Sequence, residues 1–340
     1  MANERVLVTG GSGFIAAHCM IRLLNDGYDV RTTVRSPSRE PMVRAMLAEG
    51  GVEAGDRLTF AVADLEADAG WAEAAEGCAY VMHGASPTPA GTQTREEDWV
   101  NPARDGVIRV MRAARQAGVR RVVLTSAFGA IAYARKPDSR PFDETDWTDL
   151  SREVPAYQKS KPLSEMAAWD FVAREGGPEL AAVNPVAVAG PVLGPDFSHS
   201  IRLVDRMLQG APGCPRIRTC FVDVRDVADL HLLAMIRPEA RGERFLATSG
   251  PALWLIEVAR ILRRRLGAAA GKTPTRETPD WVIRLGALRD PNMRMLSAQL
   301  GMDMNATSEK ARRLLGWNPR SPEDALLATA ESLLRLPSRA

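Results

Sequence analysis

The fold of this 340-residue chain is decided by the stretch Arg5-Val6-Leu7-Val8-Thr9-Gly10-Gly11-Ser12-Gly13-Phe14-Ile15. A short run of apolar and β-branched residues passes directly into a glycine-rich segment, and an apolar periodic pattern then continues through Leu24. This order predicts a buried strand, a tight turn and a helix. Gly10 and Gly13 have no Cβ, so a ligand can come close to the backbone of the turn.

The turn also predicts what the ligand is. A helix that begins near Ser12 directs unpaired backbone N–H groups and the positive end of its dipole at the turn, where they would hold a pyrophosphate. The stretch therefore predicts a dinucleotide-binding site. Ala16 replaces the third glycine of the usual pattern and is still small enough for close packing. An ordinary strand-to-helix loop is the alternative. The predicted cofactor-binding residues of this stretch are Gly10, Ser12, Gly13, Phe14 and Ile15.

The composition is that of an ordinary globular protein with a sizeable core. The net charge is +2, and 45% of the residues are hydrophobic. A balance this close to neutral gives no reason to expect binding to nucleic acid or to an anionic membrane. The arginines at 260–265 alternate with Ile261 and Leu262, which predicts the solvated face of a helix rather than a nucleic-acid patch.

The chain terminus and the cysteines bear on the compartment. The first strand starts at Arg5, which leaves no room for a signal peptide, and no apolar stretch is long enough to span a bilayer. We therefore expect a cytoplasmic protein. The cysteines and histidines are scattered without metal-ligand spacing, so we expect neither disulfides nor a metal site. These residues are Cys19, Cys78, Cys214, Cys220, His18, His83, His199 and His231.

Strands alternate with helices over the first half of the chain. Apolar runs at 28–34, 57–63, 79–83, 121–124 and 180–186 predict strands, with helical patterns at 69–75 and 96–117. The alternation predicts an α/β fold with a doubly wound parallel sheet of Rossmann type. The second strand ends in Arg35, where an NAD enzyme usually carries an acidic residue. Arginine suits a 2′-phosphate, so Arg35, together with Ser36 and Arg39, favours NADP(H). The alternative is a surface arginine at a strand end.

Other strand ends supply further candidates, because ligands lie across the carboxyl ends of a parallel sheet. Asp64 and Leu65 follow the third strand, and Ala85 and Ser86 follow the fourth. We expect these residues to contact the adenine and its ribose. A role for Asp64 as the N-terminal cap of a helix is an equal alternative. Thr125 and Ser126 end the fifth strand and are expected to face the cofactor cleft.

A phenol and an ammonium are the main catalytic candidates. Tyr157 and Lys161 are four residues apart in a segment of helical spacing, so they lie one turn apart on one face. A phenol with a pKa of about 10 is a poor acid at neutral pH, but a neighbouring ammonium favours the phenolate and lowers that pKa. The glycine turn and the Thr125-Ser126 strand end earlier in the chain strengthen the interpretation of this pair as catalytic. Pro162 predicts a helix that starts shortly before Tyr157 or is kinked there.

The remainder of the chain predicts a smaller, mostly helical lobe. Helical patterns lie at 201–208, 254–266, 281–285, 308–315 and 324–334, and Asp226 is expected to cap a helix at 227–235. We assign residues 1–188 and about 222–248 to the nucleotide-binding domain. Residues from about 189 to 221 and from 249 to 340 form the predicted substrate-binding lobe.

Several of these stretches resemble the extended short-chain dehydrogenase/reductase family, in its branch of dihydroflavonol 4-reductase-like and yeast-type aldehyde and ketone reductases. The resemblance covers nearly the whole chain, at residues 9–15, 33–36, 83–87, 122–126, 157–161, 184–185, 221–229 and 315–317. It implies that Tyr157 protonates a carbonyl oxygen while the nicotinamide delivers hydride. It further implies that Lys161 binds the nicotinamide ribose and lowers the pKa of Tyr157. Pro185 and Val188 would lie beside the nicotinamide.

One departure from the family pattern concerns a second hydroxyl. In relatives a serine of a Thr-Ser-Ser run also binds the carbonyl, and the position aligned with it here is Ala127. Ser126 is carried as the catalytic replacement, with Thr125, Tyr133 or a water as alternatives. Loss of one such donor typically costs about two orders of magnitude in rate.

The sequence thus predicts an NADPH-dependent reductase of an aldehyde or ketone, with the loop 86–94 and the segments 128–133 and 197–201 around its pocket. The expected partner is a small-molecule carbonyl or alcohol, and the protein is expected to be a monomer or homodimer. An NAD-dependent nucleotide-sugar epimerase or dehydratase is one alternative, which Arg35 disfavours. A non-catalytic NADP(H)-binding sensor is another, motivated by Ala127 and Pro162.

Overall fold

The structure is a computed structural model that describes residues 4–87, 95–133, 140–194 and 198–336. The strands are β1 (Arg5–Thr9), β2 (Asp29–Val34), β3 (Leu58–Val62), β4 (Tyr80–His83), β5 (Arg121–Thr125), β6 (Glu179–Pro185), β7 (Ala187–Ala189), β8 (Cys214–Pro215), β9 (Arg218–Thr219), β10 (Phe221–Asp223), β11 (Arg244–Ala247), β12 (Leu253–Trp254) and β13 (Glu277–Thr278). The α-helices are α1 (Phe14–Asn25), α2 (Glu40–Glu49), α3 (Trp71–Ala75), α4 (Glu96–Gln116), α5 (Ala156–Glu175), α6 (His199–Leu208), α7 (Val224–Ile236), α8 (Leu255–Leu266), α9 (Asp280–Gly286), α10 (Pro291–Gln299), α11 (Glu309–Leu315) and α12 (Pro322–Arg335).

One parallel sheet forms the centre of the molecule. Among the described residues it contains seven strands in the order β11-β6-β5-β4-β1-β2-β3, and every neighbouring pair is parallel. The order reverses direction on either side of β1, which places a crevice between the carboxyl ends of β1 and β4. The predicted Rossmann-type fold is therefore confirmed.

Successive side chains of each strand point to opposite faces of the sheet and pack into two separate hydrophobic cores. Val6, Val8 and Met82 pack with α1, α2 and α7 on one face of the sheet. Leu7 and Val81 pack with α3, α4 and α5 on the other face. Covering both faces explains why the strands are continuous apolar runs in the sequence.

A third core lies outside the main sheet. Its buried residues come from segments 189–221 and 255–330, and they join α6, α8 and α12. Short strand pairs accompany it: β10 with β7, β12 with β9, and β13 with β8. Residues 304–317, however, pack with the core around α1 and α7. The exact division into a domain and a lobe stays a prediction.

The structure adds elements to those predicted and corrects one helix cap. The strand β11 at one edge of the sheet and the helices α2 and α10 were not predicted. The cap of α7 is Asp223, whose carboxylate accepts from the N–H of Arg225, rather than Asp226. Asp226 lies one turn further on and accepts instead from the backbone and side chain of Arg320.

No helix within the described ranges has the length and apolar character that a membrane span requires.

Candidate active site

The glycine turn joins β1 to α1 at the carboxyl edge of the sheet. The N–H groups of Gly10 and Gly11 donate to the side chain and the carbonyl of Thr33, at 3.0 Å each. Gly10 has φ +74°, and a Cβ there would lie 2.9 Å from the Cα of Ala85. Only glycine satisfies both conditions. The backbone of the turn therefore packs closely against the loop that follows β4.

The start of α1 is suited to an anion. Gly13 is its N-cap and provides no side-chain hydrogen bond to the first turn, so these N–H groups lack a side-chain cap. Ser12 accepts a hydrogen bond from Arg39 at 3.3 Å. Phe14 and Ile15 are half-buried in the first turn. Backbone donors and a guanidinium thus meet at one point, which fits a pyrophosphate and a further phosphate group.

Arg35 and Asp64 lie at the ends of β2 and β3. The Arg35 side chain is exposed beside the turn. Asp64 accepts from the N–H of Glu66 at 3.0 Å and so holds a turn, whereas α3 begins later, after Gly70. The helix-cap alternative for Asp64 is therefore not observed. Leu65 is buried.

Tyr157 and Lys161 lie one turn apart near the start of α5. The helix begins at Ala156, directly before Tyr157, as Pro162 indicated, and Pro162 itself stays inside it. The Nζ of Lys161 donates to the Oγ of Ser86 at 2.8 Å and lies 5.0 Å from the centroid of the Tyr157 ring. The Tyr157 side chain is 38% exposed. The pair therefore faces the loop after β4, beside the glycine turn.

Helix α4 supports this end of α5. The ring of Trp99 packs edge-to-face on Tyr157, with centroids 5.5 Å apart. A second contact between the two helices is the ion pair of Lys159 in α5 and Glu96 in α4, at 2.7 Å. These contacts restrict the direction of the phenol.

The hydroxyl of Thr125 bonds to a buried histidine. Its Oγ1 lies 2.7 Å from the Nε2 of His231, whose Nδ1 lies 2.7 Å from the carbonyl oxygen of Val227. Burial lowers the pKa of His231 to about 4, so the ring is neutral at neutral pH. The carbonyl must accept, so Nδ1 carries the proton and Nε2 accepts from Thr125. The proton of Thr125 therefore points away from the cleft.

Ser126 is turned toward a buried carboxylate. Its Oγ donates to the Oε2 of Glu165 at 2.6 Å. Glu165 is fully buried and pairs with Arg244 at 2.6 Å. Asn184 and Trp169 also donate to Glu165, at 2.8 and 3.3 Å. Ser126 thus uses its proton within this network, and its proposed role at the substrate carbonyl stays a prediction.

Sequence reasoning missed this Glu165 network. Arg244 also donates to the carbonyls of Glu144 and Asp146, and its guanidinium lies 3.6 Å from the ring centroid of Trp147. The network ties α5 to β6, β11 and the chain before α5. A signal was present, since Glu165 is four residues after Lys161 and therefore lies on the same face of α5.

The remaining predicted residues are dispersed around the cleft. Pro185 is buried at the end of β6, and the carbonyl of Val188 in β7 accepts a hydrogen bond from the Ser200 hydroxyl at 2.6 Å. Within the segment 128–133 only Gly129 and Tyr133 are partly exposed, and the others belong to the core. Residues 88–94 and 197 of the predicted pocket lie outside the described residues.

A small cavity collects several predicted residues, and it adjoins the glycine turn through Ala85. Its lining includes Ala85, Ser86, Thr125, Ser126, Lys161 and His83. Burial and the charge of Lys161 lower the pKa of His83 to about 4. Tyr157 is not among its lining residues, although Lys161 is. The other predicted residues outside the lining are Gly10, Ser12, Gly13, Phe14, Ile15, Arg35, Asp64, Leu65, Pro185 and Val188.

Comparison with known proteins places the chain among nucleotide-dependent enzymes. A model of the "NAD dependent epimerase/dehydratase family" matches residues 6–246. Cinnamoyl-CoA reductase 1 of Arabidopsis thaliana is 38% identical over 253 residues, which are 73% of this chain and 71% of that protein. Dihydroflavonol 4-reductase of Hordeum vulgare is 33% identical over 270 residues, 76% of this chain and 74% of that protein. The structure of yeast methylglyoxal/isovaleraldehyde reductase Gre2 complexed with NADPH superposes with a TM-score of 0.80 at 28% identity, covering 97% of this chain and 98% of that one.

Proposed function

The chain belongs to the NAD dependent epimerase/dehydratase family, the extended short-chain dehydrogenases/reductases, and from this premise we propose that it is an NADPH-dependent reductase of an aldehyde or ketone. The observation that carries the proposal is the Tyr157-Lys161 pair, half-exposed beside the glycine turn, with Lys161 bonded to Ser86 at 2.8 Å. The relatives named above are reductases, and the Gre2 structure contains NADPH.

In this mechanism the chain holds the cofactor by its phosphates and ribose. The N–H groups in the first turn of α1, which have no side-chain cap, would bind the pyrophosphate, and Arg35 with Arg39 and Ser12 would bind the 2′-phosphate. Lys161 and Ser86 bind the nicotinamide ribose. The other residues that we assign to the cofactor are Gly10, Gly13, Phe14, Ile15, Asp64, Leu65, Ala85, Thr125, Tyr157, Pro185 and Val188.

Tyr157 performs the proton transfer. The cofactor, when bound, supplies a hydride for the carbonyl carbon. Tyr157 gives its proton to the carbonyl oxygen, so that the product is the alcohol and the phenol is left as a phenolate. The Lys161 ammonium, 5.0 Å from the ring centroid, stabilises the negative charge that develops on the phenol.

The experiment is a panel of aldehydes and ketones, aromatic and aliphatic, in which consumption of NADPH and of NADH is followed by absorbance. We expect turnover with NADPH, and a loss of about 10²–10⁴-fold in kcat for Tyr157→Phe, the range typical of acid–base catalysis. Tyr80→Phe is the matched control, because Tyr80 lies at the amino end of β4, opposite the cleft.

Three results would contradict the proposal. Rates that Tyr157→Phe leaves unchanged would remove the phenol from the mechanism. Tightly bound NAD in the purified protein, without reduction of any carbonyl compound, would favour a nucleotide-sugar epimerase or dehydratase, an alternative motivated by the name of the matching family. Binding of NADPH without any turnover would indicate a sensor.

A further inference from the structure

The end of β5 carries two hydroxyls, and each donates its proton to a group of the protein. Thr125 donates to the neutral ring of His231, and Ser126 donates to the buried carboxylate of Glu165. A hydroxyl has one proton, so each is fully used as a donor. The following residue, Ala127, is partly exposed and has no hydroxyl. A second donor to the substrate oxygen has to come from elsewhere.

Tyr133 lies on the same wall of the site. Both Tyr133 and Lys161 lie beside Gly129: a Cβ added at Gly129 would lie 3.8 Å from the Cε2 of Tyr133 and 3.7 Å from the Cγ of Lys161. The Tyr133 N–H donates to Thr148 at 3.1 Å, and its carbonyl accepts from Asp149 at 3.1 Å, so its backbone is fixed. Tyr133 is therefore held next to the Lys161 stem.

The phenol of Tyr133 stays protonated. Burial raises its pKa, a hydrogen bond from the Gln158 side chain to the phenol oxygen lowers it, and the nearby Tyr157 raises it. The net shift is upward. A phenol in this state is a hydrogen-bond donor and not a base.

We propose that Tyr133 is a second catalytic residue, which donates a hydrogen bond to the carbonyl oxygen that Tyr157 protonates. The inference rests on the proposed function. No bond of Tyr133 is broken: the hydride goes to the carbonyl carbon, the proton comes from Tyr157, and Tyr133 stabilises the negative charge on the oxygen between these events. The substrate of the enzyme would thus be a carbonyl compound whose oxygen can accept hydrogen bonds from two phenols.

The test measures steady-state NADPH consumption by Tyr133→Phe with the best carbonyl substrate of the panel. We expect kcat and kcat/KM to fall together by about 100-fold, as for loss of one donor to a developing oxyanion. The dissociation constant for NADPH, measured by fluorescence, and the thermal midpoint should stay close to those of the unaltered protein. Tyr80→Phe is again the matched control.

A rescue variant separates catalysis from structure. Ala127→Ser places a hydroxyl at the partly exposed position beside the cleft. The double variant should therefore have a kcat at least about tenfold higher than that of Tyr133→Phe alone.

The inference is overturned if Tyr133→Phe turns over within twofold of the unaltered protein while Tyr157→Phe is inactive, a result that leaves the proposed function intact. A loss that Ala127→Ser does not restore, or one accompanied by an equal loss of NADPH affinity, would identify Tyr133 as structural and also overturn it. Absence of turnover in the unaltered protein would refute the proposed function, and this inference with it.

Discussion

The glycine turn and the Tyr157 end of α5 face the same cleft, but they are held in place by opposite means. The turn can pack closely because its glycines have no side chain: a Cβ on Gly11 would lie 2.2 Å from the Oγ1 of Thr32. At the Tyr157 end, position depends on side chains that are present, above all the buried pair of Glu165 and Arg244. The first region is thus vulnerable to an added atom, and the second to a removed charge.

The largest effect should come from removing that charge. Arg244→Met leaves the carboxylate of Glu165, which has no exposed surface, with only neutral donors around it. Breaking a buried pair in this way costs about 3–5 kcal/mol in the free energy of unfolding. Urea denaturation followed by circular dichroism measures it.

Arg241→Met is the matched control, because the Arg241 side chain is 72% exposed and its pairing with Glu179 at 3.4 Å should contribute less than about 1 kcal/mol. Replacing both partners, Glu165→Leu with Arg244→Met, should recover part of the loss, since no charge then remains buried. If Arg244→Met were as stable as Arg241→Met, the network would not be what holds this end of α5.

These two regions also differ in how far the sequence reveals them. The glycine turn and the Tyr157-Lys161 pair are local, so spacing alone predicted both, together with the sheet they stand on. Arg244 and Glu165 are 79 residues apart, and Thr125 and His231 are 106 apart. Pairing at such distances depends on the strand order and the packing of α7, which no local pattern encodes.

The errors have the same origin. The segment 128–133 was expected at the pocket, yet Phe128 packs edge-to-face on Phe142 and Ile131 is fully buried. Asp226 was expected to be a cap because of its residue type, yet Arg320, near the other end of the chain, takes its carboxylate. Tertiary contacts overrode local preference in both places.

An intermediate effect should come from adding an atom to the turn. Gly11→Ala drives a Cβ against Thr32, which is fully buried and fixed by a 2.8 Å hydrogen bond to the carbonyl of Val8. Overpacking of this kind costs about 1–3 kcal/mol. If the turn moves in response, the dissociation constant for NADPH should rise about 10–100-fold. Fluorescence titration with NADPH measures it.

Gly250→Ala provides the comparison, because a Cβ there meets the nearest atom, on Pro322, at an ordinary 3.4 Å. Thr32→Ala in the Gly11→Ala background removes the clashing atoms and should restore part of the affinity. Unchanged NADPH binding by Gly11→Ala would show that the turn tolerates the atom and that the contrast between the two regions is wrong.

The effect that is smallest per residue and per pH unit concerns a feature that both regions share. His83 bonds to Thr9 beneath the turn, and His231 bonds to Thr125 beneath the Tyr157 end, each at 2.7 Å. Burial lowers the pKa of both rings, and that of His18, from 6.5 to about 4. Below pH 6.5 the unfolded chain therefore takes up protons that the folded protein does not. The contribution of each neutral histidine to the free energy of unfolding is complete above pH 6.5. It decreases by about 1.4 kcal/mol per pH unit as the pH falls from 6.5 toward 4.

Urea denaturation at pH 7, 6 and 5 measures this slope. His18→Gln removes one buried ring and should reduce the slope by one histidine's share, while the glutamine amide can still donate to the carbonyl of Pro191, which the His18 ring contacts at 2.9 Å. One buried ring lies under each region. As the pH falls, we therefore expect NADPH binding, turnover and the free energy of unfolding to decrease over the same pH range. A free energy of unfolding that stays constant from pH 7 to pH 5 would mean that these rings titrate normally and that neither region depends on a neutral histidine.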